Sequence, residues 1–224
     1  MGTARYILVI PACAALVWLA SGAVRLGFAD TTTHESLRTM ASWSARNIQP
    51  PLAEWLAVRN NLDEAALRSP NDPALHETLG VLLFQRAGTF EFVGLAHEKF
   101  VASLGLRPTS PYAWASVAAA RYAQGKTDAL FEVALVNAIA LGPSEAEVQW
   151  TVADLGLAVW DDVSDATRRS IRTAIAAGMQ RDPLGFLQVS QRRGRLDPAC
   201  RHVAGNKRIT DTKWVNLCEG RGTT

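Results

Sequence analysis

Cysteine is scarce in this chain. Three among 224 residues are too few for a disulfide-built mini-protein or a closed zinc site. Charge is scarce too. Charged residues make up 20% and the formal net charge is +2, which leaves no electrostatic basis for a dedicated nucleic-acid binder. Catalytic signatures are missing as well. There is no P-loop, GxGxxG or GxSxG, and Gly220-Arg221-Gly222 reads as part of a frayed terminus. His34, His76 and His97 each precede a glutamate (Glu35, Glu77, Glu98). The residues four beyond each histidine are Arg38, Gly80 and Val101, so none completes the HExxH zinc pattern. His202 stands alone. Asp161-Asp162, with Ser164 and Asp165, reads better as a loop and N-cap for a helix over 166–179 than as paired catalytic carboxylates. No cysteine–histidine pair is arranged as a nucleophile. The expectation is a non-enzymatic protein with no metal and no cofactor.

Apolar residues are plentiful at 48%, so a core can form and wholesale disorder is excluded. The largest apolar run is YILVIPACAALVWLASGAV, residues 6–24, without a charge and bounded by Arg5 and Arg25. As a helix it would span roughly 28 Å, close to a bilayer's hydrocarbon core. The short basic stretch before it predicts a cytoplasmic N-terminus with the rest of the chain exported. A cleaved signal peptide is the competing reading, with Gly27-Phe28-Ala29 as the small-residue site before Asp30; a buried core helix is a third. A lipoprotein reading of Cys13 fails, because the apolar run continues well past it. Export would place Cys200 and Cys218 in an oxidising compartment. There they either pair across a short loop, stabilising it by roughly 2–4 kcal/mol, or remain two thiols without a role.

The remaining residues divide into a polar juxtamembrane stalk or weak helix (30–49), a helical region (50–183) and a basic C-terminal tail or cap (184–224). Pro50-Pro51 opens a helical pattern over 52–68, with Leu52, Trp55, Leu56, Leu62, Ala65 and Ala66 on its apolar side. Ser69-Pro70-Asn71-Asp72-Pro73 then breaks it. From there the chain repeats. Pro73, Pro108 and Pro143 are 35 residues apart, and Pro183 follows 40 later. A period near 34 with helical patterning points to tetratricopeptide repeats. Residues 12, 8 and 5 before the closing proline fit that pattern: Ala96, Phe100 and Ser103 before Pro108; Phe131, Leu135 and Ala138 before Pro143; Ile171, Ile175 and Gly178 before Pro183. Val58, Leu62 and Ala65 stand likewise before Pro70. Small residues let paired helices approach closely while large ones fill the gap to the next pair. The expected fold is therefore all-α, a helical-hairpin solenoid of about three imperfect repeats behind an N-terminal transmembrane helix. The segment around Trp214 and Leu217 would cover its last repeat.

Such solenoids bind extended ligands along the face of their first helices. The repeat register turns Ala74, Glu77, Val81, Phe84 and Gln85 inward in the first repeat, and Tyr112, Ala115, Ala119, Tyr122 and Ala123 in the second. In the third it turns Glu147, Trp150, Asp154 and Leu157 inward. This groove mixes aromatics with carboxylates and lacks basic residues; its aromatic faces suit peptides or sugar rings. Some of these side chains can instead pack between helices. Positive charge lies elsewhere. Residues 30–183 carry 13 basic and 18 acidic side chains, residues 184–224 carry 8 and 3, with Arg192, Arg193 and Arg195 the densest group. That patch reads either as a solvated tail or as a contact for an acidic polymer or anionic lipid.

Three segments carry a family likeness: DPALHETLGVLLFQRA (72–87), RPTSPYAWASVAAARYAQG (107–125) and VQWTVADLGLAVWDD (148–162), with Asp154-Leu155-Gly156 and Trp160-Asp161 the most particular parts. Behind a short membrane segment, they make the chain resemble the small membrane-anchored tetratricopeptide proteins of bacterial exopolysaccharide biosynthesis systems. The likeness covers about residues 50–183. It implies a non-enzymatic inner-membrane scaffold, single-pass with its bulk in the periplasm, that assists assembly or export of a surface polysaccharide by binding envelope proteins. It brings no catalytic residues. The same fold and anchor also serve envelope chaperones and maturation factors of the cytochrome c assembly or secretion type. A glycan-modifying enzyme would require a catalytic constellation that the residues do not display.

Overall fold

The computed structural model describes residues 3–46, 48–86, 90–204 and 206–219, with side chains throughout except at 3–11, 23–26, 28–30 and 90. Regular structure among these residues is helical, as the repeat pattern predicts: α1 (Thr3–Ala45), α2 (Leu52–Arg68), α3 (Pro73–Phe84), α4 (Phe90–Leu106), α5 (Pro111–Ala123), α6 (Ala129–Leu141), α7 (Ala146–Ala158), α8 (Asp165–Arg181), α9 (Pro183–Arg192), α10 (Asp197–Cys200) and α11 (Thr212–Cys218). They fall into two compact units, Met1–Leu82 and Leu83–Thr224.

In the first unit α1 does not end where the apolar run ends. The segment expected as a stalk or weak helix continues the same helix to Ala45, and Thr33, Ser36, Met40 and Trp43 form a buried stripe at spacings of three and four. A change from apolar to polar composition does not break a helix when the periodicity persists. The stripe packs on α2. The Trp43 indole donates to Glu54 Oε1 at 3.0 Å, and the Trp55 indole donates to the Leu82 carbonyl at 3.1 Å. Trp55, Val58, Leu62 and Ala65 are the buried side of α2, whereas Leu52 and Leu56, expected inside, are exposed. Among the described residues no helix is long and apolar enough to cross a membrane. Both ends of the run 6–24, and most of the Gly27-Phe28-Ala29 site, have side chains outside the described residues.

The second unit is a series of helical hairpins. α5 packs on α4 and α6, α7 on α8, and α9 on α7 and α8; α5 and α7 also lie side by side, as do α6 and α8. The triplets picked out before each proline are buried throughout: Val58, Leu62, Ala65; Ala96, Phe100, Ser103; Phe131, Leu135, Ala138; Ile171, Ile175, Gly178. The last member of each has a second task. Its carbonyl accepts the N–H of the residue that ends the helix: Ser69 to Ala65, Arg107 to Ser103, Gly142 to Ala138 and Asp182 to Gly178, at 2.8–2.9 Å. The following residue is then Pro70, Pro108, Pro143 or Pro183, which lacks the N–H to continue the helix. The 35-residue spacing from Pro73 is therefore corrected: Pro73 opens α3, Pro70 is the counterpart of Pro108 and Pro143, and the first period is 38. The division at 183 is also displaced, since Pro183 is the first residue of α9.

Close approach is concentrated at glycine. A Cβ on Gly156 would lie 2.3 Å from Ile171 Cγ1, and one on Gly178 would lie 2.0 Å from the Phe186 ring. α6 holds α8 by a polar brace: Glu132 Oε2 accepts from the Ser164 N–H at 3.0 Å and from the Ser164 and Thr167 hydroxyls. Ser164 is the N-cap of α8, with its hydroxyl accepting from the Thr167 N–H. Burial opposes ionisation of Glu132, but these donors and Arg168 outweigh it and hold its carboxyl below the usual range.

Cys200 and Cys218 form a disulfide with Cα atoms 5.3 Å apart, and Cys13 is free and exposed. α10 packs on α8 and α9, so the C-terminal segment covers the last hairpin. Gly220, Arg221 and Gly222 lie outside the described residues.

Two glycine substitutions are expected to act with opposite sign. Gly156→Ala overpacks the α7–α8 contact and should lower stability by about 1–3 kcal/mol. Gly105→Ala, in α4 with nothing within 4 Å of the added Cβ, should raise it by up to about 1 kcal/mol. Urea unfolding of both variants checks this; a stable Gly156→Ala protein would refute the close packing. Reduction of Cys200–Cys218, or the Cys200→Ser/Cys218→Ser variant, should destabilise the C-terminal segment by about 3 kcal/mol, read as lost hydrogen-exchange protection at Trp214 and Val215.

Candidate interaction face

Of the residues predicted to line a groove, Glu77 lies in the first unit, half-buried on α3. The others lie in the second. Phe84, at the end of α3, meets Phe100 edge to face with ring centroids 6.4 Å apart, so it is a packing residue, and Gln85 is exposed beside it. The side-by-side helices α5 and α7 bring Tyr112, Tyr122, Glu147, Trp150 and Asp154 onto one layer. Tyr112 and Trp150 are each 37% exposed, enough for a ring face to meet a ligand. The Tyr112 hydroxyl donates to Glu145 of α7, which tethers the ring at its far end. Trp150 stands perpendicular to Phe186 at 5.1 Å, so its orientation is set by α9. Tyr122 is half-buried with its ring 6.4 Å from Phe131. Ala119 and Ala123 keep the surface between low, whereas Ala115 and Leu157, expected on the face, are buried between helices.

The charge of this face differs from the expectation. Sequence reasoning made it free of basic residues and made Arg192, Arg193 and Arg195 an open patch. All three turn onto α7 and the loop after it. Arg193 grips Asp154 with two parallel bonds, Nε to Oδ1 at 2.9 Å and an Nη to Oδ2 at 2.7 Å; Arg192 adds a third at 3.0 Å. Arg195 pairs with Asp161. The cause is the extent of α9. It runs beside α7 to Arg192, and Gly194, at φ +68°, turns the chain back so that Arg195 N–H reaches the Ser190 carbonyl at 2.8 Å. Burial of Asp154 opposes its ionisation, but Arg193 and Arg192 outweigh it and hold its carboxyl below the usual range. The bonds to Asp154, helped by Tyr122, hold Arg193 more firmly protonated than an ordinary arginine. The face therefore offers two exposed rings and Glu147, while Asp154 is occupied by the chain itself.

A further set of residues escaped sequence reasoning. Six positions after Pro70, Pro108 and Pro143, a side-chain N–H donates to that proline's carbonyl: His76 Nε2 at 2.9 Å, Trp114 Nε1 at 2.8 Å, Gln149 Nε2 at 2.7 Å. Each fixes the turn that starts a first helix. Histidine, tryptophan and glutamine share a ring or amide nitrogen and little else, so no residue-type signal marks them. Burial first, then Arg121 and Lys126, hold the His97 imidazole below the usual histidine pKa. Among the described residues no group of three histidine, cysteine, aspartate or glutamate side chains is placed to hold a metal ion.

Comparison with protein-family models finds no match, and comparison with curated proteins finds none either. The face is thus read from its own chemistry.

Asp154→Asn should destabilise the protein at neutral pH by about 1–3 kcal/mol, because two arginines lose their charged partner. Since the folded pKa is depressed, the wild-type contribution is fully present above the ordinary carboxylate range and disappears as pH falls through the lower folded value. Urea midpoints of the two proteins should converge toward low pH; a difference that stays constant across pH would show that the ion pair contributes nothing.

Proposed function

We propose that this chain is a tetratricopeptide-like scaffold of the bacterial cell envelope, held in the inner membrane by the first part of α1 with its bulk in the periplasm. It assists assembly or export of a surface polysaccharide by holding partner proteins, and it is not an enzyme. The observation that carries the reading is the α5–α7 face, where Tyr112 and Trp150 stand exposed and individually tethered above small alanines. Rigid aromatics over a low surface are what an extended peptide needs to dock with little loss of entropy. The repeat reading is supported by the proline-terminated second helices and by the small residues at their points of closest approach. The anchor is supported by the uncharged run 6–24, where Leu16, Val17, Trp18 and Leu19 are 59–74% exposed to whatever surrounds the helix. The disulfide fits an oxidising compartment. The choice of polysaccharide machinery rests on the likeness of residues 50–183.

A photocrosslinking amino acid placed at Tyr112 or Trp150 in cells, with Arg169 on α8 as the control position, tests this. Capture of a glycosyltransferase, polymerase or chain-length regulator from the two face positions alone is the expected result. Capture of haem-handling or secretion proteins would replace the polysaccharide role with a maturation role. Unchanged surface polymer in a deletion strain would overturn the proposal.

A further inference from the structure

The positive charge of residues 184–224 is redistributed by folding. Arg192 and Arg193 are taken by Asp154, Arg195 by Asp161, and Lys213 lies over the Trp214 ring. Among the described residues, Arg201, His202, Lys207 and Arg208 line a surface pocket of about 560 Å³ closed on its other side by the last turns of α8, including Gln180; Lys207 also borders the neighbouring pocket that Glu219 lines. Among the described residues lining the pocket at the end of α8 there is no carboxylate.

The pocket is laced into the fold. Arg208 donates to the carbonyls of Gln180 at 2.6 Å and Arg181 at 3.1 Å, which caps α8 and fixes the guanidinium in place. A guanidinium has five N–H donors, so this bond to the backbone leaves others for a ligand. Asn206 donates to the Met179 carbonyl at 3.3 Å and accepts from the Arg208 N–H at 3.1 Å. The Cys200–Cys218 bridge closes the base of the loop that carries all four cationic or imidazole side chains. Three cationic side chains around one pocket make it favourable for an anion.

The volume lies within the range of small-molecule sites and is far larger than a bare phosphate or sulfate requires. The amides of Gln180 and Asn206 add neutral donors and acceptors of the kind that hydroxyl groups use. We propose that this pocket binds an oxyanion carried on a hydroxyl-rich group, namely a phosphorylated or uronic sugar. The site is separate from Tyr112 and Trp150, so it goes beyond the docking role of that face, and either can fail without the other.

The test uses the full chain in detergent micelles and isothermal titration with four probes: glucose 1-phosphate, trigalacturonic acid, inorganic phosphate and short-chain phosphatidylglycerol. One or both anionic sugars should bind more tightly than inorganic phosphate, with affinity falling as salt rises. Arg201→Ala/Lys207→Ala should weaken that binding at least ten-fold. Arg169→Ala, which removes an exposed charge on α8 outside the pocket, should leave it unchanged. The circular dichroism melts of all three proteins should coincide. The proposal is overturned if no anionic sugar binds, if the double variant binds as well as wild type, if Arg169→Ala costs as much, or if inorganic phosphate or phosphatidylglycerol binds as tightly as the sugars.

Discussion

A helix that turns back on its predecessor must satisfy its last carbonyls and at the same place let the next helix approach. In α2, α4, α6 and α8 one residue meets both demands. Ala65, Ser103, Ala138 and Gly178 each present a carbonyl to the terminal N–H, and each is too small to hold a neighbour away. The proline that follows prevents the helix from running on. The side-by-side packing of α5 with α7 follows from the way these second helices end, and so does the layer on which Tyr112 and Trp150 stand. A larger residue at Gly178 would meet the Phe186 ring of α9, the same ring that orients Trp150.

Electrostatics then divides the second unit into two differently charged regions. α9 brings Arg192 and Arg193 to Asp154, so the α5–α7 face carries a neutralised cluster beside its exposed aromatics. The loop closed by Cys200–Cys218 gathers Arg201, Lys207 and Arg208 around the end of α8. The two regions are built by different elements, the first by α5, α7 and α9 and the second by the end of α8 and the disulfide-closed loop.

Much of the fold was legible in the residues. The buried triplets before Pro70, Pro108, Pro143 and Pro183 are a local pattern, because every member of a triplet sits on one helix and helical periodicity alone decides which side it faces. The helix over 52–68 and the Ser164 cap are local for the same reason. Of the two readings of 30–49, stalk or weak helix, the helix holds as far as Ala45, because composition changes there while periodicity does not; Met40 and Trp43 become core only through α2. Tyr112, Tyr122, Glu147, Trp150 and Asp154 were placed on one layer by register. Ala115 and Leu157 share that register yet are buried, since a position's exposure depends on how tightly the neighbouring helix lies against it.

Sequence by itself determined where the proline-terminated helices end and which of their positions before the proline are buried. Those properties depend on neighbours within a few positions, and short-range sterics and periodicity express them directly. The tertiary structure alone decided the fate of the charges. Arg193 and Asp154 are 39 residues apart, as are no two members of a local motif, and their pairing arises because α9 lies beside α7. The same holds for Glu132 of α6, which reaches Ser164 and Thr167 at the start of α8, 32 and 35 residues on.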